Sequence, residues 1–262
     1  MVFLNGQTCR RWVGRALLAA VAMTCPAAAQ VWAAPERDLS ASVPLADALG
    51  PTRTMRLHGT VFHVQGLEMD DDAIYVTSLN KKSRHGYLHK FTRAGDLVQT
   101  VDVTDGQRDH PGGISLDGDT LWVPVAESHA GASARIVQFD KHTLTPRVSF
   151  RVADHIGAIA IHGDRLYGAN YRSRSFYVWD RAGKSIASPI SPTQVQYQDM
   201  KMVGGDLVAS GLMADGKSGA IDWLGSKPNK SKVLSVESDN DSLSPSVYGE
   251  GEDDEKQLVL AQ

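Results

Sequence analysis

The chain has 262 residues, with 27 Lys and Arg against 30 Asp and Glu and a formal net charge of −3. That near-balance excludes the basic surface that nucleic acid or an anionic membrane asks of a protein partner. Two cysteines in the whole chain, Cys9 and Cys25, leave everything after them without disulfides, thiolate metal sites or cysteine nucleophiles.

Residues 1–29 read as a signal peptide. Arg10, Arg11 and Arg15 make a basic start, Ala16 to Met23 a short apolar stretch, and Ala27-Ala28-Ala29 a small-residue cleavage signal before Gln30. The apolar stretch is well short of the ~20 residues that span a bilayer. Arg10-Arg11 hints at twin-arginine export and Cys25 at a lipid anchor, but the residues around each fit poorly, so ordinary export to the periplasm or the exterior is expected. Cleavage would remove three arginines and no acid, taking the net charge to −6. A linker is expected over 30–52, and a β-propeller over 53–262.

TMRLHGTV (54–61) is an extended segment, and after it the chain repeats. Tyr75, Trp122, Tyr167 and Val208 mark equivalent places at intervals of 47, 45 and 41 residues. Before them stand Asp71-Asp72, Gly118-Asp119, Gly163-Asp164 and Gly205-Asp206, polar pairs of the kind that turn a tight hairpin. A second pair of extended runs follows each hairpin, with Phe91, Phe139, Trp179 and Trp223 just before its turn. Four short strands in about 40–45 residues is the period of a propeller blade. The tail VYGEGEDDEKQLVLAQ resembles a fifth opening hairpin. The fold class predicted is all-β: a propeller of five four-stranded blades, the last incomplete, closed by pairing residues 54–61 with the C-terminal end. Asp70–Asp72 and Glu250–Glu255 read as solvated turns, since a calcium loop needs carboxylates at alternate positions around a glycine.

The histidines are left over once the fold is accounted for. His63, His110 and His155 each stand twelve residues before their blade's anchor, and Gln196 holds that place in the fourth blade. It is where the chain enters the innermost strand, at the mouth of the central channel. The loops between second and third strands open on the same face and carry Glu127, Ser128, His129, Asn170, Tyr171 and Arg172. Three imidazoles facing one axis suit a divalent metal as candidate cofactor, with Glu127, Gln196 or Asp199 as an oxygen ligand or as the acceptor that fixes a tautomer. The opposing reading stays open: repeats reuse a residue for packing, and Asp109-His110 and Asp154-His155 would then be carboxylate–imidazole braces. Gly112-Gly113 and Gly157 are expected to let inner strands approach closely. Asp199 takes the glycine's place in the fourth blade with Lys201 two residues on, which reads as a buried ion pair or as a channel-facing acid and base. No Gly-x-Ser-x-Gly, Gly-x-Gly-x-x-Gly or phosphate-loop motif is present.

At HVQGLEM, HPGGI, VPVAE, DHIGAIA, FYVWDRAG, YQDMK and GAIDWL the chain resembles a family of exported bacterial propellers of unknown function, over Phe62 to about Leu224. The resemblance implies a propeller and carries no catalytic residue over. Family members finish the last blade after a segment like Gly249-Glu250-Gly251, so it also implies that this chain ends early. In architecture the chain is distantly similar to glutamine cyclotransferase-like and gluconolactonase-like propellers.

The function expected is small-ligand binding at the histidine-lined mouth, with His63, His110, His155, Gln196, Glu127, Asp199 and Asn170 as candidate ligand-binding residues and the three histidines as candidate metal ligands. Hydrolysis or isomerisation of a small metabolite such as a lactone is the matching activity. The alternative is a non-catalytic scaffold whose rim contacts protein or glycan.

Overall fold

The computed structural model describes residues 43–44, 52–129, 132–216, 218–224, 231–235, 247–250 and 256–261, with side chains described between Met55 and Leu224. The expected signal peptide, most of the expected linker and most of the acidic tail lie outside the described residues.

The described chain is all-β, with one 3-10 turn at Tyr171–Ser173 and no α-helix. Four sheets form a propeller arrangement. The first blade runs His63–Met69, Ala73–Asn80, His85–Thr92 and Leu97–Asp102 from the inside outward. In the second, the inner strand is broken into Arg108–Pro111 and Ser115–Asp117, followed by Thr120–Glu127, Ala134–Asp140 and Pro146–Val152. The third comprises Ile156–His162, Arg165–Asn170, Phe176–Asp180 and Ser185–Ala187; the fourth comprises Gln196–Val203, Asp206–Leu212, Ser218–Leu224 and Ser231–Ser235. Val43–Pro44 adds to the fourth sheet's outer edge in parallel.

Local chemistry explains the hairpins. Gly118 and Gly163 turn the second and third blades at φ 57° and 59°, a conformation that costs glycine nothing. The repeated aromatics fill the seams between blades. Tyr75 packs with Ile114 and Phe139 of the next blade, Trp122 with Ile156 and Trp179, and Tyr167 with Tyr197 and Leu207. Burying one such side chain contributes about 1.5–3 kcal/mol.

Glycine lets the inner strands meet. A Cβ on Gly112 would lie 2.1 Å from the Gly157 carbonyl oxygen, and one on Gly66 would lie 2.6 Å from the Cα of Gly113. Gly157 itself is open on its Cβ side, so only its backbone takes part in that approach. Hydrogen bonds then run around the ring. The Thr77 hydroxyl donates to the Gly112 carbonyl, Gly113 and Ile159 exchange backbone bonds with the neighbouring strand, and the Tyr197 amide donates to Ser173 Oγ. Leu67 N donates to Asp199 Oδ2 at 3.3 Å, joining the fourth blade to the first. Thr52–Arg56 pairs antiparallel with Lys256–Ala261 in a separate three-stranded sheet with Val247–Glu250, so the pairing falls on 52–56 where the sequence suggested 54–61.

Candidate functional site

His63, Ile156 and Gln196 open the inner strands of the first, third and fourth blades, and His110 stands near the end of the first inner segment of the second. At the same place in three blades the inner strand slips register, around Gln65, Gly157 and Gln198. Such a bulge re-aims the side chains beside it. Between the second and third blades lies a cavity of about 500 Å³ lined by His110, Ser128, His129, His155, Tyr171 and Arg172.

His155 is buried at 6 % exposure. Its Nδ1 lies 2.7 Å from the Glu127 carbonyl oxygen, which can only accept, so Nδ1 carries the proton and Nε2 keeps its lone pair. Among the described residues Nε2 has no hydrogen-bond partner. Burial holds the imidazole below its ordinary pKa, outweighing the Glu127 bond and the Asp154 charge. His110 meets the His155 ring at 5.3 Å and 74°, edge toward face. With Gln65 Oε1 2.9 Å from Nε2, that nitrogen is the donor, and Nδ1 faces the Ser128 hydroxyl at 3.2 Å. Burial first, then the charges of His155 and His63, push His110 down to about 4. Both imidazoles are therefore neutral at neutral pH.

This geometry revises the metal centre expected from His63, His110 and His155. Among the described residues no group of three or more His, Asp or Glu side chains could hold a metal ion. His110 spends its Nε2 proton on Gln65, its Nδ1 lone pair faces the Ser128 hydroxyl, and its ring meets His155 edge-on. His63 starts the first blade's inner strand, half-buried, and bears on His110 through charge.

The carboxylates beside the mouth also serve other partners. Asp109 makes no direct bond to its neighbour's imidazole: it accepts from Arg84 Nε at 2.8 Å and from Ser128 Oγ at 3.3 Å, the hydroxyl that also lies 3.2 Å from His110 Nδ1. Asp154 accepts from Asn170 Nδ2 at 3.0 Å and from the Tyr177 hydroxyl at 2.7 Å. Neither forms the imidazole brace that sequence adjacency suggested. Glu127 accepts from the Ser133 amide at 3.0 Å and lies 3.7 Å from Arg108 and 3.4 Å from His129, and the Ser133 bond first, then those charges, hold its carboxyl below the usual range. Asn170 Oδ1 takes the Ser175 amide, and this residue is not among those around the cavity. Gln196 is half-buried at its strand's start and is not among the residues around the cavity.

Asp199 belongs to a different cluster, on the axis. It is fully buried, accepts from Leu67 and Met200 amides, and takes Lys201 Nζ at 2.9 Å. Lys201 also donates to the Ile114 carbonyl at 2.7 Å and lies 3.7 Å from Glu68. Burial pushes the Asp199 carboxyl up to about 6 against the pull of Lys201. Of the two roles the sequence left open, the contacts are those of an ion pair fastening the first and fourth blades. Gln65 and Glu68 were not singled out in the sequence, although blade alignment puts Gln65 at the repeated bulge and Glu68 at the register of Lys201.

Comparison with known proteins bears on the family. No curated protein matches the chain significantly. A Bacteroides fragilis protein assigned to export aligns at 12 % identity and TM-score 0.47, covering 78 % of this chain and 58 % of its own. A streptogramin B lyase aligns at 9 % identity and TM-score 0.43, covering 72 % of this chain and 60 % of its own. The chain thus spans less than two thirds of either. Among the described residues no helix is long and apolar enough to cross a membrane. The model of a family of unknown function, DUF6454, matches residues 36–227, and the chain belongs to that family.

Proposed function

We propose that this protein is an exported propeller that binds a small organic ligand in the cavity between its second and third blades. The observation that carries the reading is His155: a buried, neutral imidazole with its tautomer fixed by the Glu127 carbonyl and its Nε2 lone pair left over for an incoming donor. Nε2 is not among the enclosed, unpaired side-chain atoms of the described residues, so its lone pair is open to the cavity that His155 lines, and a cavity of about 500 Å³ is of the size that holds a small metabolite. What supports export is the basic, apolar and small-residue order of residues 10–29. The three-stranded sheet that joins the chain's two ends is read as the incomplete fifth blade.

Should the site be catalytic, the hydrolysis or isomerisation of a small metabolite such as a lactone needs a proton acceptor, and His155 Nε2 is the group placed to be one. The test is a ligand-observed NMR screen of small acids, alcohols, sugars and amines against the full chain and against Ser128→Trp, which fills the mouth from an exposed loop position. Binders that are lost in the variant support the reading. Binders that persist unchanged, or no binder at all, overturn it, and the second outcome favours a scaffold whose rim meets protein or glycan.

A further inference from the structure

The geometry points to the class of ligand: a small, flat organic acid carrying a hydroxyl, its carboxylate held by Arg172, its ring laid on Tyr171 and its hydroxyl donating to His155 Nε2. This rests on the small-ligand reading above and deepens it.

Charge comes first. Neither Asp nor Glu lines the cavity, whereas Arg172 does. The nearby carboxylates are already engaged: Asp109 by Arg84, Glu127 by Ser133 and His129, Asp154 by Asn170 and Tyr177. An amine would find no counter-charge in this cavity. A carboxylate would find a guanidinium, the group whose fork fits it best. Arginine is the one permanently charged side chain in the lining, which suits a single carboxylate and not a polyphosphate.

The loop that presents this cation is strained and held. Arg172 sits at φ 63°, ψ 6° and Ser173 at φ 52°, two consecutive left-handed residues that are not glycine. Such conformations last only where the surroundings impose them, and they cluster where a chain must aim a side chain. The restraints here are specific. Ser173 is fully buried and bonds both the amide and the carbonyl of Tyr197. The Tyr171 amide donates to the His155 carbonyl at 2.9 Å, and Arg174 anchors on the Gln194 carbonyl at 2.9 Å. What the loop displays is Tyr171, 60 % exposed, with the Arg172 guanidinium 5.7 Å from its ring centre and the His155 ring 5.1 Å from it. The guanidinium lies over the ring and the His155 ring meets it as well, so what Tyr171 offers a flat acid is the exposed remainder of its ring, beside a cation and an imidazole acceptor.

Isothermal titration of the full chain with 4-hydroxybenzoate, benzoate and 4-hydroxybenzamide separates the parts. A charge-assisted bond to Arg172 predicts that 4-hydroxybenzoate binds about tenfold tighter than 4-hydroxybenzamide, and its hydroxyl predicts about fivefold tighter binding than benzoate. Arg172→Gln, at an exposed position, should bring the acid and the amide to equal affinity while keeping the preference for the hydroxyl. Equal binding of acid and amide by the unaltered protein overturns the inference and leaves the small-ligand reading standing. So does failure of all three probes where compounds of another class bind the cavity. If nothing binds, both fall.

Discussion

Acid should destabilise this protein through histidines the fold holds uncharged. His89 is buried at 1 % exposure in the first blade, with Ser78 Oγ on Nε2 at 2.7 Å and Thr100 Oγ1 on Nδ1 at 2.9 Å. Burial lowers its pKa to about 4, and His110 is lowered to the same value. In the unfolded chain both titrate near 6.5. Their contribution is therefore complete above about pH 6.5 and is lost as pH falls toward 4. Going from about pH 7.5 to about pH 5, the loss is about 2 kcal/mol for His89 and somewhat less for half-buried His110. His155 shifts in the same direction. Asp199 works the other way. Its carboxyl, raised to about 6, takes up a proton before the unfolded carboxylate does, so its contribution grows as pH falls. Over the same interval it returns about 1.3 kcal/mol. The net expectation is a fall of about 2–3 kcal/mol. Urea unfolding at the two pH values measures it. His89→Gln should be less stable at neutral pH, yet its pH-dependent fall should shrink by about 2 kcal/mol. A stability that stays level or rises toward pH 5 would refute the reasoning.

Other expectations follow from packing and charge. Gly113→Ala would set a Cβ 2.6 Å from Asp199 Oδ1 and 2.8 Å from the Gln198 carbonyl oxygen, and should cost about 3 kcal/mol by urea midpoint. Gly118→Ala meets no atom within 4 Å and should cost only about 1 kcal/mol, from its left-handed backbone. Asp199→Asn removes the nearer of the two carboxylates beside Lys201, with Glu68 left at 3.7 Å, and should cost about 1–3 kcal/mol, much of it recovered when Lys201→Met is added. Arg172→Gly relieves a left-handed backbone costing about 1–2 kcal/mol and adds about 0.5–1 kcal/mol of chain entropy, so calorimetry should show unchanged or slightly raised stability while acid binding is lost.

Much of the fold was legible because it rests on local periodicity. Gly118 and Gly163 adopt the left-handed turns their dipeptides implied, and Tyr75, Trp122 and Tyr167 are buried at the blade seams. The close approach at Gly112 and Gly113 could be read from glycines at a crowded inner strand. The site was legible only in part. Sequence adjacency suggested that Asp109 and Asp154 brace their histidines, but successive residues of an extended chain point to opposite sides. Asp109 accordingly reaches Arg84 while His110 faces the cavity. The sequence expected equivalent residues of all blades to converge on one axis. The cavity draws on two neighbouring blades, and Asp199 is drawn inward to Lys201. Nothing in the residues Tyr-Arg-Ser announces consecutive left-handed conformations, since none of the three favours them. That turn is set by Ser173 reaching Tyr197, a partner 24 residues further on.

The most direct test is the state of His155 itself. Two-bond nitrogen–proton NMR of the histidine side chains, recorded at neutral pH with and without 4-hydroxybenzoate, reads protonation and tautomer together. The account predicts a neutral His155 with its proton on Nδ1 and an Nε2 resonance that moves toward the protonated range as the acid is added. A charged imidazole, the opposite tautomer, or an Nε2 signal indifferent to every small molecule that binds the protein would contradict it.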